Sequence, residues 1–444
     1  MAAATPPGQG GIGVVRLSGP ASGEVGARLC GRTRPWPARS VVRCRVDAGA
    51  CATDALITFF QAPASFTGDD VLEIAVAGNP LLLAGVVERA VAHGARVAGP
   101  GEFTFRAYAN GKLDLVQAEA LRDLVQAVSP AQLQAASSQL DGALSTAIAG
   151  LVDGLRRLEM LLEASVDFPD EGYRFIDGAE LGRELAAVGD GLRRLIDGEG
   201  ISQRVREGVT VVLSGSPNVG KSSLFNALLG SDRAIVTPVA GTTRDLVSER
   251  LVIDGCLVRL VDSAGLRDAV DLAEEEGVRR AERALAEADV SVLVLDGSRP
   301  LGADEVERWR AADRAKTIVV VNKADLAQAW APDSLELGEH LRVSAVGGTG
   351  VGDVLRQIRV RLAGLATASE DVLVTSERHR GLLREAVRFV ERARREFAES
   401  GGRLPEEFVL EDLRGALTVL SEVTGRRSSD ELLHEIFSSF CIGK

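Results

Sequence analysis

The sequence predicts a multidomain α/β protein: an α+β segment at the start, a helical bundle, and a P-loop domain with a mostly parallel sheet inserted into that bundle. Three observations predict it. Residues 1–112 mix short β-type runs (GIGVVRLSG, ALITFF, VLEIAVAG) with one helix-like segment, LLLAGVVERAVAHG. From Leu113 the spacing becomes helical through LDLVQAEALRDLVQAV, GLRRLEMLLEASV and ELAAVGDGLRRLI, and it resumes after TASED in RGLLREAVRFVERARREF and DLRGALTVLSEV. Between these halves, over residues 207–368, the apolar runs VTVVLSG, LVRLVD, VSVLVLD, TIVVVN and LRVSA alternate with helical stretches, which is the pattern of a covered parallel sheet. The expected domains are therefore residues 1–112, 113–206, 207–368 and 369–444, with the second and fourth forming one bundle, an arrangement that works where the inserted domain's ends lie close together.

Composition narrows the function classes. The 444 residues are 45% hydrophobic and 26% charged, enough for two to four separate cores. The five cysteines (Cys30, Cys44, Cys51, Cys256, Cys441) are odd in number and scattered, so neither a disulfide framework nor a metal-pair spacing is expected, and a reducing cytosol suits them. MAAATPPGQGG lacks a charged n-region and a secretory core, and no apolar run approaches the roughly 18 residues that span a membrane; a cytoplasmic location is expected. A net charge of -12 argues against sequence-blind nucleic-acid binding, leaving any RNA contact local. The best basic candidate is the row Arg380, Arg384, Arg388 and Arg392, which at i+4 spacing forms one helical stripe: a solvated face or, less simply, an RNA groove.

The chemistry concentrates in the inserted domain. GSPNVGKS, Gly215 to Ser222, matches G-x-x-x-x-G-K-[ST] and stands between the strand VTVVLSG and the helix SSLFNALLG. Such a loop wraps backbone N–H groups of Asn218, Val219, Gly220 and their neighbours around a β-phosphate, while Lys221 reaches the β and γ oxygens and Ser222, followed by Ser223, offers a hydroxyl to magnesium. Asp262 to Gly265 (DSAG) ends the strand LVRLVD, placing Asp262 to hold the metal's water shell and the amides of Ser263, Ala264 and Gly265 beside the γ-phosphate. Between these elements GTTRD offers Thr243 as the threonine that reaches magnesium in the triphosphate state. NKAD follows TIVVVN: Asn322, Lys323 and Asp325 form a base-reading set, since a carboxylate at Asp325 accepts two guanine N–H bonds and mismatches adenine. Ser344 and Ala345 end the last strand, where a backbone amide can meet the guanine oxygen. GTP is thus expected over ATP. The position that carries a water-orienting glutamine in many nucleotide switches is Leu266 here, which leaves Glu274, Glu275 and Glu276 as the candidates for that task.

These motifs, with IVTPVAGTTRDLV, the tail FSSFCIGK and, near the start, ATPPGQGGIGVVRLSG, FTGDDVLE and PGEFTFRAYANGKLDLVQAEAL, resemble the tRNA-modification GTPases of the MnmE (TrmE) family over essentially the whole chain. The resemblance implies a folate-binding-like first domain through which two copies dimerise, and a Ras-like GTPase domain within a helical bundle. It implies work with a flavoprotein of the MnmG (GidA) type to place a 5-carboxymethylaminomethyl-type group on the wobble uridine of certain tRNAs. A 5-formyltetrahydrofolate or related tetrahydrofolate would meet Arg16, Glu73, Lys112 and Lys444, and Cys441 is the family's C-terminal cysteine, a catalytic candidate. By residue type alone the charged four are surface salt-bridging groups, Cys441 a small buried residue and CIGK a frayed tail. The family also coordinates potassium where Asn218, Thr237, Val239 and Thr242 stand, with Thr237 beside the nucleotide as well, and its E-x-x-G spacing back from Gly277 selects Glu274 to orient water. Departures are Ser263 in D-S-A-G, Ala77-Gly78-Asn79 where H-G-G is usual, and Val346 in place of a basic residue. A nucleotide-dependent binding switch in ribosome or RNA assembly is the alternative reading of the same nucleotide motifs.

Overall fold

The computed structural model describes residues 1–167, 176–197, 199–230, 235–236, 248–262, 283–331, 337–365, 374–399 and 406–443. They form two compact units, one of residues 1–125, 139–190 and 381–444, the other of residues 126–138 and 191–380. The architecture is the multidomain one expected: an N-terminal α+β sheet, helical segments and an α/β P-loop domain.

In the first unit β1 (Ala2–Ala3), β2 (Gly10–Ser18), β3 (Val41–Asp47), β4 (Ala52–Phe60) and β5 (Val71–Gly78) make an antiparallel sheet in the order β1-β2-β5-β4-β3. Alternation does the sorting. Val15 and Leu17 on β2 and Leu72, Ile74 and Val76 on β5 point into one core with Val25, Leu29, Val86 and Ala90 of the helices Ser22–Leu29 and Pro80–Ala92. Because successive strand residues face opposite sides, Arg16 and Glu73 are sent to the other face, where the register sets them directly opposite each other. The second helix starts cleanly: Asn79 accepts from the Leu81 N–H at 2.8 Å and Pro80 fills the first helical position.

The helical part of this unit rests on Ala143–Asp167, whose Leu144, Ile148, Leu155, Leu158 and Leu162 recur at helical spacing and are buried. Helix Glu406–Val423 packs against it, its Leu413, Ala416 and Leu420 buried and its Arg414 held by Glu159 at 3.1 Å and by Glu163. The last helix, Asp430–Ser438, is capped by Ser429 and docks Ile436, Phe437 and Phe440 on Leu115, Ala118 and Tyr108. Ile442 bridges Pro100, and a side chain at Gly443 (φ 98°) would lie 2.3 Å from the Ala3 carbonyl, so the tail is tied to the first unit through Gly443.

Glu102, at the start of helix Glu102–Ala109, anchors this region by binding Arg96, Arg106 and the Gly99 N–H. Burial raises its pKa, but the hydrogen bonds outweigh burial and bring it down to about 2. A depressed carboxyl stabilises the fold fully above its ordinary value near 4.5 and loses that effect as pH falls toward 2. Glu102→Gln should therefore melt below wild type at pH 7, with the gap in melting temperature narrowing below about pH 4.5; a gap that widens on acidification refutes the assignment.

In the second unit β6 (Val209–Ser214), β7 (Ile235–Val236), β8 (Ser248–Ile253), β9 (Cys256–Asp262), β10 (Val290–Asp296), β11 (Thr317–Asn322) and β12 (His340–Arg342) form one sheet in the order β12-β11-β10-β6-β9-β8-β7. The five strands from β12 to β9 are parallel, and β8 runs antiparallel to both of its neighbours, β9 and β7. Every residue of β10 and β11 is buried, which explains their unbroken apolar text. Two features depart from the sequence expectations. SERLVI is a strand, joined to β9 by the two-residue turn Asp254-Gly255, both with positive φ. The arginine stripe is also interrupted: on helix Glu377–Glu399, Arg380 is only 2% exposed and pairs with Glu377, and Arg392 pairs with Asp412, so the row offers no continuous basic groove.

Candidate nucleotide-binding site

The phosphate loop occupies the turn between β6 and helix Lys221–Leu229, and two glycines are imposed by crowding. At Gly215 (φ 145°) a Cβ would lie 2.3 Å from the Val294 carbonyl of β10, and at Gly220 (φ 94°) 2.2 Å from Asn322 Nδ2. Asn218 holds a left-handed φ of 64° between them. Val219 is buried, Ser222 and Ser223 are exposed, and the helix begins here, at an end whose first amides lack intrahelical partners. Lys221 is 5% exposed and its Nζ donates to the Gly215 and Ser216 carbonyls at 3.1 and 2.8 Å. Its ammonium is thus held over the loop that would cradle phosphates.

Parallel neighbours bring the distant motifs in. Pairing of β6 with β9 puts Asp262 at the strand end beside the loop, where Ser222 Oγ donates to Asp262 Oδ2 at 2.7 Å. Pairing of β10 with β11 sets Asn322 next to the loop from the other side. Asn322 is 3% exposed; its Nδ2 donates to the Val219 carbonyl at 2.9 Å and its Oδ1 accepts from the Ala345 N–H at 3.0 Å. One amide side chain therefore ties the phosphate loop to the Ser344-Ala345 loop.

Asp325 stands exposed at the rim, and the Ser344 hydroxyl, with its own backbone N–H, holds its carboxyl below the ordinary value. It is ionised at neutral pH and acts purely as an acceptor. Lys323 (φ 63°) sends its Nζ to Asp296 Oδ2 at 2.6 Å. Burial pushes the Asp296 carboxyl up, but the bonds from Lys323 and Ser298 more than reverse this and leave it below the usual carboxylate range. Asp296 was not singled out by any sequence pattern.

The donor set fits the groups the motifs imply. Glycine crowding leaves the loop backbone open to a phosphate, and the Ser222 hydroxyl with the Asp262 carboxylate supplies hard oxygens suited to magnesium. Among the described residues no cluster of three or more His, Cys, Asp or Glu could hold a metal ion. Thr237, Val239, Thr242, Thr243, Ser263, Ala264, Gly265 and Glu274, with its neighbours Glu275 and Glu276, lie outside the described residues.

On the open face of the N-terminal sheet, Arg16 Nε donates to Glu73 Oε1 at 2.8 Å and its Nη1 to the Gly443 carbonyl at 3.4 Å, with Phe103 beneath the guanidinium at 5.8 Å. Two of the groups assigned to a folate, Arg16 and Glu73, thus meet; Lys444 lies outside the described residues. Lys112 Nζ donates to the Pro63 carbonyl at 3.1 Å. Cys441 is exposed and its carbonyl accepts from the Gly101 N–H at 3.4 Å.

Comparison with known proteins accords with this geometry. Residues 1–112 match the family described as "GTP-binding protein TrmE N-terminus", and residues 115–441 match the family described as "MnmE helical domain". The chain is 44% identical to the tRNA modification GTPase MnmE of Azoarcus sp. over 100% of its length and 97% of that protein's, and 42% identical to the MnmE of Thiobacillus denitrificans with the same coverages. Among solved structures, the G domain of the T. maritima FeoB iron transporter is similar over 36% of this chain and 99% of its own, at 26% identity and a TM-score of 0.25. Among the described residues no helix is long and apolar enough to cross a membrane. From its motifs to its full length, the chain belongs to the MnmE family of tRNA modification GTPases.

Proposed function

We propose that this chain hydrolyses GTP and, by doing so, drives a tRNA modification. The observation that carries the reading is the Asn322 bridge, because this residue of the N-K-x-D run bonds both the phosphate loop and the Ser344-Ala345 loop. In that pocket Lys221 and the loop amides bind and orient the phosphates, Asp325 reads the guanine edge, and the backbone of Ser344 and Ala345 meets the guanine oxygen. Asn218, Val219, Gly220, Ser223, Thr237, Asn322, Lys323 and the Ser263-Ala264-Gly265 amides complete the nucleotide contacts. Ser222 and Thr243 would hold magnesium, with Asp262 ordering its water shell; when bound, the ion neutralises charge on the phosphate oxygens. Glu274 orients the attacking water by accepting its proton in a hydrogen bond. Asn218, Thr237, Thr242 and the Val239 carbonyl would hold potassium, which supplies positive charge beside the transferring phosphoryl group.

Residues 1–112, 113–206, 207–368 and 369–444 serve as dimerising folate-binding-like domain, first bundle half, Ras-like domain and second bundle half. Two copies pair through the first domain in the cytoplasm, and nucleotide hydrolysis opens and closes the G domains. A tetrahydrofolate such as the 5-formyl derivative, bound by Arg16, Glu73, Lys112 and Lys444 near Cys441, carries the one-carbon unit. With an MnmG (GidA)-type flavoprotein, a 5-carboxymethylaminomethyl-type group is added to the wobble uridine. Support comes from family membership and from the Arg16–Glu73–Gly443 contacts. Mass spectrometry of tRNA nucleosides from a deletion strain tests the reading: the modified wobble uridine should vanish and return with the wild-type gene. An unchanged profile would instead favour a binding switch in ribosome or RNA assembly.

A further inference from the structure

We propose that Asp296 is a positioning residue for guanine recognition, its carboxylate fixing the Lys323 side chain as a rigid wall beside Asp325; the proposal rests on the nucleotide reading of this pocket. Asp296 is the last residue of β10, and its side chain is 3% exposed. Its Oδ2 accepts from Lys323 Nζ at 2.6 Å and stands 3.6 Å from Arg299 Nε, while its Oδ1 accepts from the Ser298 N–H and Oγ at 2.9 and 2.6 Å. A carboxylate so buried persists only when its oxygens are paired, and here the principal partner belongs to the base-reading run.

The backbone around the pair is laced as tightly. The Gly297 N–H donates to the Asn322 carbonyl at 3.0 Å, the Ala329 N–H to the Gly297 carbonyl at 2.9 Å, and Trp330 Nε1 to the Asp296 carbonyl at 2.9 Å. Lys323 takes a left-handed φ of 63°, a conformation a non-glycine residue keeps only where its surroundings hold it. With its ammonium anchored, the four-carbon stem loses the rotamer freedom that an exposed lysine would surrender on binding a ligand, so the wall exists before the base arrives. Lys323 also lies close enough to favour the ionised form of Asp325.

The anchor extends to the phosphate side. Arg299 is held by Glu305, which is 1% exposed, through bonds of 3.0 and 2.8 Å, and Glu305 also accepts from the Gly302 N–H at the start of helix Ala303–Ala311. The adjacent Asp304 accepts from Ser216 Oγ of the phosphate loop at 3.3 Å. One helix end thus braces both halves of the nucleotide pocket, with Asp296 as the link to the base.

The test uses the full chain, a fluorescent N-methylanthraniloyl-GDP probe and two variants, Asp296→Asn and Lys323→Met. Losing one charged hydrogen-bond partner should weaken probe binding about 10- to 100-fold in each variant. For Asp296→Asn the KM for GTP should rise by a similar factor while kcat at saturation stays within about threefold, as expected when binding common to the ground and transition states is lost. The double variant should be no weaker than Lys323→Met alone, because both changes break the same contact; a general loosening of the fold would add to it. If Asp296→Asn does not fold, Asp296→Ser takes its place with the same expected results. Wild-type affinity in either variant overturns the role of Asp296 while leaving the nucleotide reading intact, whereas a wild-type chain that does not bind the probe removes both.

Discussion

Lys221→Ala should reduce kcat/KM for GTP by at least about 10²- to 10³-fold, the effect of deleting one preorganised donor aimed at developing charge. Two losses combine in this variant. The ammonium that would meet the β and γ oxygens disappears, and the Gly215 and Ser216 carbonyls lose the donor that now holds them at 3.1 and 2.8 Å. The side chain is 5% exposed, so its removal also leaves a void beneath the loop. Arginine is not expected to rescue it, because a planar guanidinium cannot occupy a site shaped for a compact ammonium. Phosphate release measured across a GTP series gives the answer directly; retention of more than a tenth of wild-type kcat/KM would contradict the assignment.

Asp325→Asn should change which base the pocket prefers. The ionised carboxylate offers two acceptors at the rim, and guanine presents two N–H donors on the matching edge. An amide offers one acceptor and one donor, so the guanine 2-amino group would confront an N–H. The expected rise in KM for GTP is about 10- to 100-fold, the effect of leaving one polar partner unpaired. Xanthine carries a carbonyl in place of that amino group and complements the amide, so xanthosine triphosphate should become the better substrate. Comparing kcat/KM for the two nucleotides in wild type and variant checks this, and an unchanged preference for GTP would remove Asp325 from base reading.

Much of this pocket was legible in the sequence because its parts are local. The spacing of Gly215, Gly220, Lys221 and Ser222 is readable as one short motif, and its two glycines answer to positive φ and to close approach by Val294 and Asn322. Parallel β-strands then explain why motifs far apart in sequence converge, since β6, β9, β10 and β11 all end on one edge. The partners of long-range polar pairs were not legible. Asp296 closes an apolar run as strand-ending carboxylates often do, and nothing in VSVLVLD says that Lys323 will reach it. Arg380 fits an exposed stripe by spacing, yet tertiary packing buries it.

The strand Ser248–Ile253 escaped because its first three residues are polar, although the Asp254-Gly255 turn was a usable hairpin signal. Nor did helical periodicity reveal that residues 126–138 join the second unit, where the Ala131 N–H donates to the Gly255 carbonyl at 3.3 Å and Gln132 Nε2 to the Arg206 carbonyl at 2.9 Å. Periodicity identifies a buried face without naming what covers it.

The most direct measurement of the central claim is displacement of N-methylanthraniloyl-GDP from the full-length chain by unlabelled GDP and by ADP. A pocket in which Asp325 reads the base, next to a cradle formed by Lys221 and closed by Asn322, predicts displacement by GDP at concentrations at least about 100-fold lower than by ADP. Equal displacement by the two, or by neither, would contradict the account.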